Sequence, residues 1–137
     1  MKPLLKTTNT LIWICQLAAA IIMLQTLFFK FSGAEESIYI FTTLGMEPWG
    51  RYLIGSAELV ASALLLIPSL AWLGALGSIG IMSGALFFHL TIIGVDVKGD
   101  GGYLFVLCLI VLMASLFVLF MRKNQLPFIK DYLLKYS

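Results

Sequence analysis

Four polar side chains that could do chemistry stand within or beside long apolar segments of this sequence. They are a carboxylate, an imidazole, an amine and an amide: Glu58, His89, Lys30 and Gln25. A charged residue inside a bilayer is unfavourable by about 2.5–3.5 kcal/mol on insertion scales, so such a residue usually faces a partner or a cavity. These groups could bind the polar end of a lipophilic molecule, relay a proton, or form an ion pair that fixes helix register.

The composition places these residues in a membrane protein. The 137-residue chain is 61% hydrophobic and 12% charged, against roughly 45–50% and about 25% in soluble domains. A chain of this length forms one domain, whose interior is too small to bury so much apolar surface. The net charge of +2 is too small to indicate nucleic-acid binding. These numbers exclude a soluble enzyme and a nucleic-acid binder, and they predict the lipid bilayer as the first partner.

Hydropathy predicts an all-α bundle of four transmembrane helices, formed by residues 1–137 as a single domain, because a spanning helix needs about 20 mostly apolar residues. We predict a short interfacial helix between the first two spans, within residues 32–50, and an amphipathic tail over residues 122–137. The first span continues past a signal-peptide-like cleavage site, so we expect it to remain uncleaved. The predicted spans cover about residues 11–29, 52–67, 70–94 and 103–121.

Charge placement predicts the orientation of the chain. With four spans, both termini and the turn at Pro68 lie on the same side. Because Lys and Arg are enriched on the cytoplasmic side, we expect both termini in the cytoplasm and the protein in a bacterial cytoplasmic (inner) membrane. The charged residues on that side are Lys2, Lys6, Arg122, Lys123, Lys130 and Lys135, against Asp131.

The depth of the polar residues predicts that they meet. At 1.5 Å per residue, Glu58 lies roughly 12 Å and His89 roughly 8 Å below the outer surface. Lys30 and Gln25 stand near the outer end of the first span, whereas Gln16 stands nearly isolated in the inner half. We therefore expect a polar cluster in the outer half of the bilayer, with Glu58 and His89 within hydrogen-bond reach.

Small residues predict how the second and third spans pack. Gly55, Glu58 and Ser62 share one face of the second span. Because small residues let helix backbones approach closely, we expect that face to meet a small-residue face of the third span. The glycines of that second face are Gly77, Gly80 and Gly84.

Other constellations argue against metal and thiol chemistry. One histidine and one glutamate supply at most two ligands from the membrane, so no metal site is predicted. Residues 96–102 begin like a calcium-binding loop, but Lys98 occupies a ligand position. Cys15 and Cys108 lie at opposite depths, which predicts two free thiols.

The order and spacing of several segments resemble the DoxX-like family of small membrane proteins over about residues 10–120. The resemblance implies a four-helix membrane bundle, and it carries the family's membrane glutamate, histidine and lysine onto Glu58, His89 and Lys30. The family's glycine ahead of the lysine is absent here. The similar segments are Leu27-Phe28-Phe29-Lys30-Phe31-Ser32-Gly33, Gly45-Met46-Glu47-Pro48-Trp49, Tyr52-x-x-Gly55-x-x-Glu58-Leu59, Leu64-Leu65-Leu66-Ile67-Pro68, Gly74-Ala75 and Met82-x-x-Ala85-x-x-x-His89-Leu90.

Two functions follow as expectations, because relatives in that family include a membrane subunit of a thiosulfate:quinone oxidoreductase and also assembly factors. The first is a subunit or accessory factor of a membrane redox system, with a small lipophilic molecule such as a quinone near Glu58, His89 and Lys30. The second is a non-catalytic assembly, chaperone or interaction protein that contacts a partner through residues 32–50. A homo-oligomer is compatible with both functions. The sequence has no haem-ligand pair, flavin motif or Cys-x-x-Cys, so we expect this chain not to carry electrons by a cofactor of its own. Whether it is an enzyme stays open, and at most we expect a subunit associated with an oxidoreductase. A proton-coupled exporter is a third hypothesis, although small four-span exporters carry their carboxylate in the first span.

Overall fold

The computed structural model describes the backbone of residues 2–136 and the side chains of residues 7–127 and 130–136. The side chains of Lys2 and Lys6, which entered the prediction of orientation, lie outside the described part. So do those of Phe128 and Ile129 in the predicted amphipathic tail.

Helices joined by short turns form the fold, and no strand occurs in the described residues, which confirms the all-α prediction. A turn of 3-10 helix precedes the fourth helix at Pro68–Leu70, and a π-helical turn at His89–Ile93 continues it. A second 3-10 turn, Lys123–Gln125, follows the fifth helix. The α-helices are α1 (Lys2–Ser32), α2 (Glu35–Thr43), α3 (Trp49–Leu65), α4 (Ala71–Phe88), α5 (Tyr103–Met121) and α6 (Pro127–Tyr136).

Three helical segments are long and apolar enough to cross a membrane: Thr7–Ser32, Pro68–Ile93 and Tyr103–Met121. They correspond to the first, third and fourth predicted spans. The second predicted span corresponds to α3, which has 17 residues. At 1.5 Å per residue such a helix is about 25 Å long, short of a hydrocarbon core of about 30 Å.

Helices α1, α3, α4 and α5 pack around a common core. Helix α3 lies against α1 and α4, and α5 lies against α4 and α1, so that α1 and α4 are diagonal to each other. Small and flexible side chains such as Ala19, Met23 and Ala75 fill the centre. Large apolar side chains such as Phe28 and Met113, which are 63% and 66% exposed, cover the outside. This distribution suits a protein surrounded by lipid, because a soluble protein rarely exposes so large an apolar surface.

The helix predicted between the first two spans is α2. It lies across one end of the bundle, which we call the α2 end, and contacts α1, α3 and the π-helical turn. Ser37 and Phe41 are buried against the bundle, whereas Tyr39 is exposed. At the opposite end, which we call the hairpin end, the turn Pro68–Leu70 joins α3 to α4. The tail is also helical, and its described side chains at 130–136 are exposed.

The polar face of α3 packs against α1 and not against α4. A Cβ atom on Gly55 would lie 3.2 Å from the ring of Phe31. The Ser62 hydroxyl is 3.5 Å from the carbonyl oxygen of Ala20. The prediction that the face of Gly55, Glu58 and Ser62 meets the third span is therefore wrong. A face of small residues can pack against either neighbouring helix, and here it packs against α1.

Two of the three predicted packing glycines of α4, Gly80 and Gly84, differ from their predicted role, whereas Gly77 faces α3 as expected. A Cβ atom on Gly80 or Gly84 would meet no atom of another element within 4 Å, and on Gly77 it would make an ordinary 3.8 Å contact with Ala61. Gly80 and Gly84 instead line a cavity. Their predicted packing role is wrong, because glycines at this spacing can equally leave a space between helices.

The close approach between α3 and α4 occurs at Gly74, near the hairpin. A Cβ atom there would lie 2.5 Å from the Leu65 nitrogen and 2.9 Å from the Ala61 carbonyl oxygen. Both neighbours are backbone atoms, so they cannot give way as a flexible side chain would. Only glycine lets the two helices come this close, and this close contact sets the geometry of the hairpin.

Candidate functional site

A cavity of about 260 Å³ opens at the α2 end of the bundle. Its wall is mostly apolar, and all four packed helices contribute to it together with α2 and the π-helical turn. An apolar cavity of about 150 Å³ admits benzene, so this cavity has room for one substituted ring. The polar residues in the wall are Thr26, Lys30, Glu36, Ser37, Glu58, His89 and Cys108.

Lys30 and Glu58 form an ion pair in this wall. The distance from Lys30 Nζ to Glu58 Oε1 is 3.1 Å, and the side chains are 16% and 3% exposed. Helix α1 ends close to where α3 begins, so the last turns of α1 lie beside the first turns of α3. The two opposite charges neutralise each other next to an otherwise apolar space, which makes their burial tolerable.

Thr26 supports the same carboxylate, and sequence reasoning missed it. Its hydroxyl is 3.3 Å from Glu58 Oε2 and 3.0 Å from the Met23 carbonyl oxygen. The single hydroxyl proton can serve one of these acceptors at a time. The available signal was the spacing of four residues between Thr26 and Lys30, which places both side chains on one face of a helix.

Gln25 does not belong to the cluster, contrary to the prediction. Its side chain is exposed, and it is not among the residues that line the cavity. Depth placed it correctly along α1, but each residue turns a helix by about 100°. Thr26 faces the cavity, and Gln25 consequently points to the outside of the bundle.

His89 lines the same cavity but forms no bond to Glu58 among the described contacts, so the expected Glu58–His89 hydrogen bond is absent. Its Nδ1 atom is 2.9 Å from the carbonyl oxygen of Gly94, and its ring meets Phe105 edge to face with centroids 5.8 Å apart. Because a carbonyl only accepts, Nδ1 is the donor of this bond, and Nε2 of the neutral ring is an acceptor.

The π-helical turn explains why His89 holds this position. The Gly94 N–H donates to the His89 carbonyl oxygen at 2.9 Å, which closes a wider turn than an α-helix has. Gly94 ends the turn with a φ of +89°, which glycine adopts without strain. His89 and Gly94 are thus linked through backbone and side chain. Such turns are rare and often occur at functional sites.

Arg51 fixes the backbone behind Lys30, a role that sequence reasoning also missed. Its Nη1 donates to the Lys30 carbonyl oxygen, and its Nη2 lies 2.7 Å from Glu47 Oε1. Its Nε is 3.0 Å from each oxygen of that carboxylate. The guanidinium also lies over the ring of Tyr52 at 4.6 Å. The segment between α2 and α3 is thereby held to the end of α1.

A second polar network lies at the hairpin end, where Gln16 was predicted to be nearly isolated. That prediction is wrong. Gln16 is fully buried, its Nε2 donates to the Leu65 carbonyl oxygen at 2.6 Å, and its Oε1 accepts from Arg122 Nε at 2.6 Å. Gln125 Nε2 donates to the Pro68 carbonyl oxygen at 3.0 Å. These contacts join α1, the hairpin and the end of α5.

The described residues contain no group of three or more His, Cys, Asp or Glu side chains that could hold a metal ion. Cys15 and Cys108 are free thiols. The Cys108 thiol lies in the cavity wall and donates to the Met82 carbonyl oxygen at 3.3 Å.

The carboxylates of the loop before α5 bind backbone groups of the same loop. Asp100 Oδ1 accepts from Val97 N at 3.0 Å and Gly102 N at 2.8 Å, and Oδ2 accepts from Leu104 N at 3.2 Å. Partial burial by itself would raise the pKa of the Asp100 carboxyl. The hydrogen bonds from the backbone outweigh burial and lower this pKa below its usual value. The carboxylate therefore orders the start of α5.

Comparison with known proteins agrees with the resemblance noted from the sequence. The model of the DoxX-like family matches residues 14–118, a range that includes Lys30, Glu58 and His89. No curated protein and no solved structure matches the chain. With its apolar helices and this match over most of its length, the chain is an integral membrane protein that belongs to the DoxX-like family.

Proposed function

We propose that this protein binds a small lipophilic molecule of the quinone class between its helices, as a subunit or accessory factor of a membrane redox system. The observation that carries the proposal is the Lys30–Glu58 ion pair in the wall of a mostly apolar cavity of about 260 Å³. Ligand sites in proteins combine an apolar wall with a few convergent polar groups in this way.

Each member of the pair has a distinct part in this proposal. An ammonium group has three donors, so Lys30 can donate to a ligand oxygen while it keeps its bond to Glu58. Glu58 orients the ammonium and balances its charge, which leaves a cavity suited to an uncharged ligand. The Arg51 contact to the Lys30 carbonyl oxygen holds the backbone from which this side chain extends.

Binding of a quinone probe to the purified protein tests the proposal. Decylubiquinone, oxidised or reduced, is titrated into protein in lipid nanodiscs, and the quenching of tryptophan fluorescence is measured. Lys30→Met should weaken binding about tenfold, because it removes a hydrogen bond to the ligand. Lys98→Met, in the exposed loop, is the matched control and should leave binding unchanged. Failure of both oxidation states to bind would contradict the proposal.

We also propose α3 as a fourth crossing, with both termini in the cytoplasm of a bacterial cell and the α2 end outside. The position of α3 between α1 and α4 supports this arrangement, since both neighbours are long enough to span. Reporter fusions at the two termini and within residues 44–48 test it. Termini on the outer face, or all three fusions on one face, would contradict it.

Docking of a partner protein on α2 is the second candidate function. The exposed side chains of Ile38 and Tyr39 favour it, being 38% and 41% exposed. Phe41 is buried against the bundle and is not available to a partner. Loss of co-purifying protein after Tyr39→Ala, with unchanged binding of decylubiquinone, would support this candidate over the first.

A further inference from the structure

The hydrogen bonding of His89 is half complete within the part of the chain that the structure describes. Its Nδ1 donates to the Gly94 carbonyl oxygen, so Nε2 of the neutral ring has a lone pair and no proton. No described residue donates to Nε2, although His89 is only 6% exposed as a residue and lines the cavity. Nε2 is itself accessible, because it is not among the described buried side-chain atoms that lack a partner. A donor from a ligand would complete the hydrogen bonding of the ring.

Lys30 offers the opposite chemistry to the same cavity. Its ammonium group only donates, and the 3.1 Å contact to Glu58 leaves further N–H groups for a ligand. Lys30 is on α1 and His89 follows α4, and these two helices are diagonal in the bundle. The cavity therefore presents a donor on one wall and an acceptor on another.

We infer that the cavity selects the reduced, hydroquinone form of its ligand, with one ring hydroxyl donating to His89 Nε2 and the other oxygen accepting from Lys30. This inference rests on the proposed function and makes it specific. The carbonyl oxygens of an oxidised quinone only accept, so one of them would face Nε2 as a second acceptor. A hydroquinone hydroxyl can donate to His89, and its partner oxygen can still accept from Lys30.

A matched pair of redox-inert probes isolates the hydroxyl group. 4-Octylphenol and 4-octylanisole differ in that the second has a methyl ether where the first has O–H. Competition binding in phosphatidylcholine nanodiscs should show about a tenfold preference of the wild-type protein for the phenol. His89→Phe should bind both probes equally, and His89→Gln, which retains an acceptor, should keep part of the preference. Gln25→Leu, outside the cavity, should keep all of it.

A second measurement does not depend on any variant. The chain has a single histidine, so protein labelled with ¹⁵N-histidine gives the signals of one imidazole. We expect the Nδ1–H tautomer, and we expect the phenol to shift the Nε2 resonance while the anisole leaves it in place.

The outcomes separate this inference from the proposed function. Equal binding of the two probes by the wild-type protein, or an Nε2 resonance that the phenol does not move, would overturn the selectivity at His89. Lys30-dependent binding of decylubiquinone would then still support the proposed function. Absence of binding by both probes and by decylubiquinone would overturn both.

Discussion

The two ends of the bundle use buried polar side chains in different ways. At the hairpin end, the amide of Gln16 bonds on both sides, to the Leu65 carbonyl oxygen and to Arg122, with each distance at 2.6 Å. At the α2 end, the Lys30–Glu58 pair borders a cavity of about 260 Å³. The Gln16 amide therefore has a partner at both its nitrogen and its oxygen, whereas the Lys30–Glu58 pair lies beside open space.

This difference indicates which buried polar groups stabilise the fold and which are available to a ligand. Hydrogen bonds with both partners satisfied in a dry interior contribute to stability. Donors and acceptors that remain partly unused beside a cavity can bind something else. We therefore assign the network of Gln16 to the fold, and we propose Lys30, Glu58 and His89 as the groups available to a ligand.

The largest expected effect separates two glycines of α4. Gly74→Ala should destabilise the protein by about 3 kcal/mol or more, because its Cβ would overlap backbone atoms of α3. Gly80→Ala faces open space and should stabilise by up to about 1 kcal/mol through helix propensity. The free energy of unfolding in detergent micelles checks this. Equal losses of the free energy of unfolding in both variants would contradict the assignment of Gly74 to a close helix contact and of Gly80 to open space.

The next effect separates two glutamines of α1. Gln16→Leu should lower the free energy of unfolding by about 2 kcal/mol, because it leaves Arg122 and the Leu65 carbonyl oxygen without their partner. Gln25→Leu, on the exposed face, is the control and should stay within about 0.5 kcal/mol of wild type. Thermal unfolding of the purified variants measures both. A neutral Gln16→Leu would mean that the hairpin end needs no polar network.

A smaller effect distinguishes the members of the ion pair. Lys30→Met leaves a buried carboxylate without its cation and should cost about 1–2 kcal/mol, whereas Glu58→Gln should cost less, since Lys30 is 16% exposed and can turn its ammonium towards water. The double variant should be more stable than Lys30→Met alone. Unfolding in detergent tests the order, and equal costs for the two single variants would contradict it.

The smallest effect lies in the loop before α5. Asp100→Ala should cost about 1 kcal/mol near neutral pH, as loss of a helix cap does. Because the folded-state pKa of Asp100 is lowered, its contribution is present above the unfolded pKa of about 4 and disappears as pH falls through the folded value. Wild type and Asp100→Ala should therefore converge in stability in acid. Asp131→Ala in the tail is the control, and a difference that persists in acid would contradict the assignment.

Sequence reasoning found the level at which the polar residues lie but not all of their partners. Lys30 and Glu58 were predicted at one depth, because a helix rises by a constant 1.5 Å per residue, and they form an ion pair. His89 shares their cavity without bonding to Glu58. Thr26 was missed in favour of its neighbour Gln25, since depth alone does not give the direction of a side chain around the helix axis.

Partners distant in the chain were beyond sequence reasoning. Gln16 and Arg122 are separated by 106 positions, and no local pattern connects them. The π-helical turn that directs His89 was equally hidden, because it adds one residue to a turn whose sequence reads as an ordinary continuation of α4. Gly74 and Gly80 look alike in the sequence, and only the distance between α3 and α4 separates their roles.

The sequence by itself determined that this chain forms apolar helices, that it belongs in a membrane, and which residues carry the family pattern. These properties follow from local composition and spacing, which each helix has independently of its neighbours. The tertiary structure alone decided that the face of Gly55 meets α1, that Gly80 borders a cavity, and that His89 lines the same cavity. Those outcomes depend on how each helix is rotated against the others, and that rotation is set by packing between distant parts of the chain.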